Sequence, residues 1–327
     1  MINNELKLEQ KIFEEPQLSK SATRDGFGKG LVEAGEKNEN VVVLCADLAE
    51  STRAHWFAEK FPQRYIELGV AEQNLATVAS GLANYGKIPF MMSYAAFSPG
   101  RNWEQIRTTI CLNDVPAKIV GAHAGVSVGP DGATHQALED IATMRVLPNM
   151  IVLVPADSEE ARKATLAMAE NRKPTYIRLG RAKTPVFTTL ETPFEIGKAQ
   201  IVYISKNPKI GIIACGSLVY QSILAAEELK KEGIHVSVMN LSTIKPIDER
   251  AVIEFAQSVE SIITAEEHQI HGGMGSAVTE VLAQHAPTKV SFIGMKDRYG
   301  ESGDPDELLT YFGFDKNGII KHIKKHL

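Results

Sequence analysis

Short runs of apolar residues alternate along most of this chain with segments of helical periodicity. Two such runs are 41–47 and 88–94, and a helical segment that ends in glycine, 71–86, lies between them. Strands that are apolar throughout and separated by helices are typical of a parallel sheet covered on both faces. The pattern therefore predicts an α/β protein built from doubly wound sheets. The other predicted strands are 64–69, 117–123, 150–156, 175–180, 209–215, 235–241, 261–267 and 290–294.

The alternation stops once and then restarts. Residues 185–194 contain two prolines and three threonines without a helical period, which is typical of a linker. A chain of 327 residues also favours two domains over one. We predict a first domain over 21–184 and a smaller second one over 195–327. Residues 1–20 are charged and patternless, and they are expected to be an arm that orders only on a partner, or not at all.

Composition excludes several classes of protein. The net charge of −5 offers no general basic surface, so nucleic acid is a poor candidate partner. The N-terminus lacks the apolar core of a signal peptide, and no run of about 18 apolar residues predicts a membrane span. Three widely separated cysteines suggest neither a zinc site nor a disulfide framework. A cytoplasmic protein is therefore expected.

Polar side chains follow the predicted strands, where ligands of open α/β sheets bind. Asp47 and Ser51 follow the first strand, although both residue types also cap helices. Glu72 stands in the first turn of the long helix. It either complements the helix dipole or shares a proton with the ring nitrogen of a ligand. Tyr94 and Phe97 follow the strand 88–94, with Trp103 a little further on, and they either stack on a flat heterocycle or belong to the core.

The segment 121–140 is rich in glycine and holds His123, Asp131 and His135. Two histidines and an aspartate in one loop are candidates for contact with a polar substrate. Asp131 also has a turn-forming alternative, because glycine follows it. A metal site is a weaker interpretation, since the spacing matches no common ligand motif. Arg24 and Arg181 stand near these junctions and either form surface ion pairs or bind a phosphate.

Together these segments resemble transketolase, in its pyrimidine-binding and C-terminal domains. The resemblance covers about residue 20 to the C-terminus, and the fifth of its motifs is the most specific. The motifs are SATRDGFGKGL at 21–31, CADLAES at 45–51, GVAEQN at 69–74, YAAF at 94–97 with GRNWEQIR at 100–107, GAHAGVSVGPDGATHQALED at 121–140 and IRLGR at 177–181.

The resemblance implies a thiamine diphosphate enzyme that transfers a two-carbon ketol unit between sugar phosphates. Glu72 would hydrogen-bond the cofactor's aminopyrimidine and activate it. His123 and His135 would contact the sugar near the reacting carbons, and His135 is a candidate for proton transfer. The remaining implied contacts to the cofactor are Tyr94, Phe97, Asp47 and Arg101, and those to the substrate are Asp131, Arg24, Ser51 and Arg181.

One family feature is missing. Thiamine enzymes hold the diphosphate through Mg²⁺ (or Ca²⁺) on a Gly-Asp-Gly motif, and no such string occurs in this sequence. About 20 residues before the first domain are too few for a diphosphate-binding domain. The chain is therefore expected to be the C-terminal subunit of a split transketolase. Its N-terminal partner would hold the metal, in an α₂β₂ assembly.

Four other interpretations stay open at this point. The beta subunit of a 2-oxo acid dehydrogenase has the same two domains but lacks the DGATHQ string of 131–136. Deoxyxylulose-phosphate synthase shares much of that string but is normally one long chain. A non-catalytic scaffold subunit is possible because fold does not fix function. A transketolase for a sulfonated or other specialised sugar also stays open, since an arginine clamp for phosphate would accept a sulfonate.

Overall fold

The computed structural model describes residues 1–326 of the chain, apart from the side chain of Glu15, and these fold into two α/β domains. Within these residues there are fourteen strands: β1 (Lys20–Ser21), β2 (Val41–Cys45), β3 (Tyr65–Glu67), β4 (Ile88–Tyr94), β5 (Lys118–Ala122), β6 (Ile151–Leu153), β7 (Thr175–Arg178), β8 (Thr184–Pro185), β9 (Gln200–Tyr203), β10 (Ile210–Ala214), β11 (Val236–Asn240), β12 (Thr243–Lys245), β13 (Ser261–Gln269) and β14 (Lys289–Met295).

The same residues form twelve α-helices, of which α5 continues into a π-helical segment, Ile106–Cys111. The helices are α1 (Thr23–Lys37), α2 (Ala49–Thr52), α3 (Ala54–Lys60), α4 (Glu72–Asn84), α5 (Trp103–Gln105), α6 (Asp140–Arg145), α7 (Ser158–Glu170), α8 (Leu218–Lys231), α9 (Glu249–Gln257), α10 (Met274–His285), α11 (Pro305–Phe312) and α12 (Lys316–His326). None of them is both long and apolar enough to cross a membrane.

Two larger sheets organise the chain. The first has seven strands in the order β12-β6-β7-β5-β4-β2-β3, and only β12, which comes from the second domain, is antiparallel to its neighbour. The second has five strands in the order β14-β13-β10-β11-β9, with β9 alone antiparallel. A small antiparallel pair, β1 with β8, joins the two ends of the first domain.

Both faces of the first sheet are covered. Along β2, Val42 and Leu44 point into a core with α4 and α6, whereas Val43 and Cys45 point into a core with α1, α3 and α7. This is what strict alternation along a strand produces when neither face meets water. The prediction of a doubly wound α/β architecture is confirmed. The core under α4 continues into α9 and α10 of the second domain, so the two domains share one apolar interior.

The N-terminal arm packs against the second domain of its own chain. Leu8, Ile12 and Leu18 are buried in the core beneath α8 and α12, and the Tyr220 hydroxyl donates to the Ile12 carbonyl at 2.9 Å. The expectation that residues 1–20 need a partner in order to fold is therefore wrong. Three apolar side chains scattered through a charged segment show neither strand nor helix periodicity, so the sequence pattern gave no sign of their burial.

Candidate active site

Five neighbouring strands of the first sheet end at one edge. The strands β7, β5, β4, β2 and β3 are adjacent and parallel, so the segments that follow them meet at their carboxyl ends. Ser51 follows β2, Glu72 follows β3, Tyr94 ends β4, His123 follows β5 and Arg181 follows β7. The topology therefore brings the predicted site residues to one place, as expected for a ligand site of an open α/β sheet.

Glu72 is the first residue of α4, and only 3% of it is exposed. Its carboxylate accepts hydrogen bonds from Arg101 Nη1, at 3.1 Å to each oxygen, and from Ser93 Oγ at 3.3 Å. The residue before it, Ala71, offers no capping side chain to the helix. Glu72 thus lies where it complements the helix dipole, but its hydrogen bonds point across to β4 and to the segment after it.

A cluster of rings stands beside Glu72. Tyr94 stacks on His123 with centroids 4.0 Å apart, and Phe97 meets the edge of His135 at 5.3 Å. The Arg101 guanidinium lies 4.1 Å above the Phe97 ring, so this arginine links the rings to the Glu72 carboxylate. Tyr94 and Phe97 are only partly buried, which leaves ring surface for a flat ligand. Trp103 instead packs on the core, where its Nε1 donates to the Thr143 carbonyl at 2.8 Å.

His123 is buried and has a left-handed backbone with φ of 56°. Burial, reinforced by Arg24 and Arg181, lowers the pKa of His123 to about 3, so the ring is neutral near pH 7. Arg24 Nη1 lies 3.2 Å from Nε2 and is always a donor, so Nε2 accepts and the ring proton is on Nδ1. Among the described residues Nδ1 has no hydrogen-bond partner, although it is buried. The Nδ1–H therefore lacks an acceptor within the part of the chain that the structure describes.

Three arginines surround this histidine. Arg24 Nη1 also donates to the Ser51 carbonyl at 2.9 Å, while its Nε is buried without a partner among residues 1–326. Arg181 Nη1 donates to the Val128 carbonyl at 2.8 Å. Arg53, whose Nε donates to Asp25 at 2.6 Å, helps to lower the pKa values of both Arg24 and His123. Such a concentration of guanidinium groups favours a phosphate or a similar anion.

Sequence reasoning missed Arg53. The residue sits in a left-handed turn with φ of 69° between α2 and α3, only two positions after Ser51. A basic side chain that close to a candidate phosphate contact was the available signal. The left-handed backbone at Arg53 decides where the side chain points, and neither the residue type nor the apolar pattern predicts that conformation.

The remaining candidates lie at the rim of the site. Asp131 is about one third exposed, 3.8 Å from Arg181 Nη1, and His135 Nδ1 lies 2.8 Å from the Thr134 hydroxyl. Asp47 is exposed, and its backbone N–H donates to Glu67 at 2.8 Å. Leu48, rather than Asp47, stands at the N-terminal cap of α2, so the capping interpretation of Asp47 is not what the structure shows.

His123 makes a prediction about pH. The unfolded histidine takes up a proton below about pH 6.5 while the folded ring stays neutral, so the stability that His123 contributes falls as the pH drops toward 3. Relative to His123→Asn, a residue that tolerates left-handed backbone, the free energy of unfolding of the native chain should fall by about 1.4 kcal/mol per pH unit below about pH 6. Denaturant titrations at several pH values measure this difference, and parallel curves would contradict it.

Comparison with known proteins places this geometry in a family. A family model described as the pyrimidine binding domain of transketolase matches residues 19–186, and one described as the transketolase C-terminal domain matches residues 197–319. The chain belongs to the transketolase family. A transketolase C-terminal section from Methanocaldococcus jannaschii is 43% identical, over 93% of this chain and 96% of that protein.

Two further relatives also match at nearly full length. A 6-deoxy-6-sulfo-D-fructose transketolase subunit from Clostridium sp. (strain MSTE9) is 35% identical over 94% of this chain and 95% of its own. A solved structure of a split gene transketolase, an inactive β4 tetramer, is 42% identical. It covers 93% of this chain and 97% of that chain, with a TM-score of 0.86. The chain thus corresponds to the C-terminal part of a split transketolase.

Transketolases use thiamine diphosphate, and the residues at this sheet edge suit its aminopyrimidine half. Glu72 offers a buried carboxylate, and Tyr94 and Phe97 offer partly exposed rings beside it. For the metal, no group of three or more His, Cys, Asp and Glu side chains is arranged to hold an ion in the part of the chain that the structure describes.

Proposed function

We propose that this chain is the C-terminal subunit of a split transketolase, which transfers a two-carbon ketol unit from a ketose phosphate to an aldose phosphate. The observation that carries the proposal is the meeting of the buried Glu72 carboxylate, the Tyr94–His123 stack and the arginines around His123 at one sheet edge. A scaffold subunit would have no need of a buried carboxylate beside open ring surface and an unpaired histidine N–H.

Glu72 is the residue that activates the cofactor. When bound, thiamine diphosphate supplies the electron sink for carbon–carbon bond cleavage. The Glu72 carboxylate would hydrogen-bond a ring nitrogen of the aminopyrimidine and hold the proton there. Tyr94 and Phe97 would face the pyrimidine ring. Arg101, which spans Glu72 and Phe97, is half exposed.

The substrate contacts fall into two groups, those to the oxygens of the sugar and those to its terminal phosphate. The neutral His123 donates its Nδ1–H to a sugar oxygen, and His135 contacts the oxygens near the reacting carbons and exchanges a proton there. Asp131 accepts from a sugar hydroxyl. Arg24, Ser51 and Arg181 hold the terminal phosphate, to which a guanidinium fork is geometrically suited.

A second polypeptide completes the enzyme in this proposal. It carries the Gly-Asp-Gly motif that this sequence lacks, and it holds the diphosphate through Mg²⁺ (or Ca²⁺) in an α₂β₂ assembly. The solved relative that is an inactive β4 tetramer supports the idea that a chain of this type assembles without its partner but lacks activity.

A sulfonated sugar is the second candidate substrate. The relative from Clostridium sp. is named for 6-deoxy-6-sulfo-D-fructose, and a sulfonate offers the same three oxygens to an arginine cluster as a phosphate does. The sulfonate carries one negative charge where a phosphate carries nearly two. Three neighbouring arginines therefore favour the phosphate.

Activity should appear only when the two subunits are combined. The purified chain is expected to show no ketol transfer with Mg²⁺, thiamine diphosphate, a ketose phosphate and an aldose phosphate. Addition of the N-terminal subunit from the same genome in equal amount should produce transfer, and that subunit alone serves as the control. The same assay with a sulfonated ketose ranks the two substrate classes. Robust activity of the single chain would contradict the proposal that the enzyme is split between two chains.

A further inference from the structure

The loop that carries His123, Asp131 and His135 lies against the second domain. Glu267, in β13 of that domain, is buried, and its Oε1 accepts a hydrogen bond from the Ser127 backbone N–H at 2.5 Å. Its other oxygen accepts from the Ser217 hydroxyl at 3.3 Å. A carboxylate that comes from 140 residues away thus holds the backbone of the loop four residues after His123.

The fit between loop and carboxylate is close. Gly125 has a φ of +87°, and a Cβ built on it would lie 2.4 Å from Glu267 Oε1. No side chain fits there without moving either the loop or Glu267. Gly125 therefore serves both a left-handed turn and the approach of the loop backbone to the carboxylate.

A second contact holds the far end of the loop. Gln136 is buried, and its Nε2 donates to the Glu301 carbonyl of the second domain at 2.8 Å and to the Val126 carbonyl of the loop at 3.1 Å. A Cβ on Gly132 would lie 2.3 Å from the Ser302 hydroxyl oxygen. The loop is therefore held at two points by segments that are distant in sequence.

Arg178 of the first domain holds the backbone at Glu267 in place. The Arg178 guanidinium donates to the Glu267 carbonyl at 2.8 Å and to the Ala137 carbonyl at 3.1 Å, and its Nε pairs with Asp140 at 2.9 Å. The Glu267 side chain also borders a cavity of about 30 Å³ between the domains, which Ser127 and Ser217 line as well. Truncation of Glu267 would enlarge this cavity and give the loop room to shift.

We propose that Glu267 is a positioning residue for the substrate loop, through which the second domain sets the place of His123 and Asp131 opposite the arginine cluster. The inference rests on the proposed function, in which that loop binds the sugar. Loss of the carboxylate leaves the Ser127 N–H and the Ser217 hydroxyl without an acceptor, so the loop settles elsewhere. A displacement of about 1 Å in substrate-positioning groups is enough to reduce catalysis substantially.

The kinetic test compares three variants in the complex of both subunits. Glu267→Ala should raise the KM for the ketose phosphate about tenfold or more, because an unmet buried donor displaces the loop. The affinity for thiamine diphosphate should change several-fold less than the KM, because the Glu72 contacts do not involve the loop, whose side chains meet the proposed cofactor residues through the rings of its two histidines, which pack on Tyr94 and Phe97. Glu267→Gln should restore most of the loss, since its amide oxygen still accepts from Ser127.

The neighbouring Glu266→Ala is the matched control. Glu266 lies on the same strand and is equally buried, but its carboxylate accepts from the backbone N–H groups of Met274 and Gly275 at the start of α10. Its loss should destabilise the second domain and leave the KM unchanged. An equal rise in KM for both alanine variants, or no rise for Glu267→Ala, would overturn the inference.

Hydrogen exchange separates this inference from the proposed function. In the full chain without substrate, Glu267→Ala should speed amide exchange at 125–129 by about tenfold or more, whereas Glu266→Ala should leave these amides as in the native chain. If the native complex shows no ketol transfer, the proposed function fails while the exchange result still decides the role of Glu267. Unchanged protection of Ser127 in Glu267→Ala would refute it.

Discussion

Glu72→Gln is expected to lower the kcat of the assembled enzyme by about 100- to 10,000-fold, the range that a positioned acid–base group contributes. The amide keeps the size of the side chain but cannot hold a proton for the pyrimidine nitrogen. The fold should survive, because Arg101 is half exposed and turns to water when its ion pair with Glu72 is lost. Steady-state turnover at saturating cofactor and substrate is the measurement.

The neighbouring Glu104→Gln is the control for this result. Glu104 belongs to α5 and is exposed, and its carboxylate contacts only the side chain of Gln105 among the hydrogen bonds found for it. Its turnover should equal that of the native complex. Circular dichroism and assembly with the partner confirm that both variants are folded. Near-normal turnover of Glu72→Gln would remove this residue from the mechanism.

Asp140→Ala should cost about 3–5 kcal/mol in the free energy of unfolding, as expected when one member of a buried ion pair is removed. Asp140 is 1% exposed and its partner Arg178 is 7% exposed, with 2.9 Å between Nε and the carboxylate. The Tyr176 hydroxyl also donates to Asp140 at 2.7 Å. The substitution leaves the Arg178 guanidinium buried without its paired carboxylate and the Tyr176 hydroxyl without its acceptor, and urea denaturation measures the loss.

A surface ion pair provides the comparison. Lys209 and Glu260 lie 3.9 Å apart with 68% and 72% of their side chains exposed, so Lys209→Ala should change the free energy of unfolding by less than about 1 kcal/mol. The contrast tests burial rather than the mere presence of opposite charges. A loss below about 1 kcal/mol for Asp140→Ala would show that water reaches Arg178 in solution.

Periodicity predicted the parallel strands because burial on both faces makes them apolar along their whole length, whereas the antiparallel strands β1, β8, β9 and β12 were not predicted. The segment 88–94 was predicted without error as β4, and the helix 71–86 is two residues longer than α4 at its C-terminal end and one at its start. The arm failed because Leu8, Ile12 and Leu18 are buried by a domain that begins nearly two hundred residues later. No local period records such a contact.

In the site, as in the fold, features set by the local sequence were predictable and contacts between distant segments were not. Strand-to-helix junctions are visible in a sequence, so the segments that hold Glu72, Tyr94 and His123 could be found, although their roles stay predictions. Contacts that depend on the tertiary fold could not be predicted from the sequence. Examples are the stack of Tyr94 on His123 and the hydrogen bond from Ser127 to Glu267, which join parts of the chain that no pattern connects.

One edge strand of the first sheet, β12, comes from the second domain. It belongs to the second half of the chain, yet it pairs antiparallel with β6 and forms the edge strand on that side of the seven-stranded sheet. Without it, β6 would present a row of unpaired N–H and C=O groups to any strand it met. The second half of the chain thus covers β6, and a cut between the two halves would leave β6 as an exposed edge strand open to pairing with strands of other molecules.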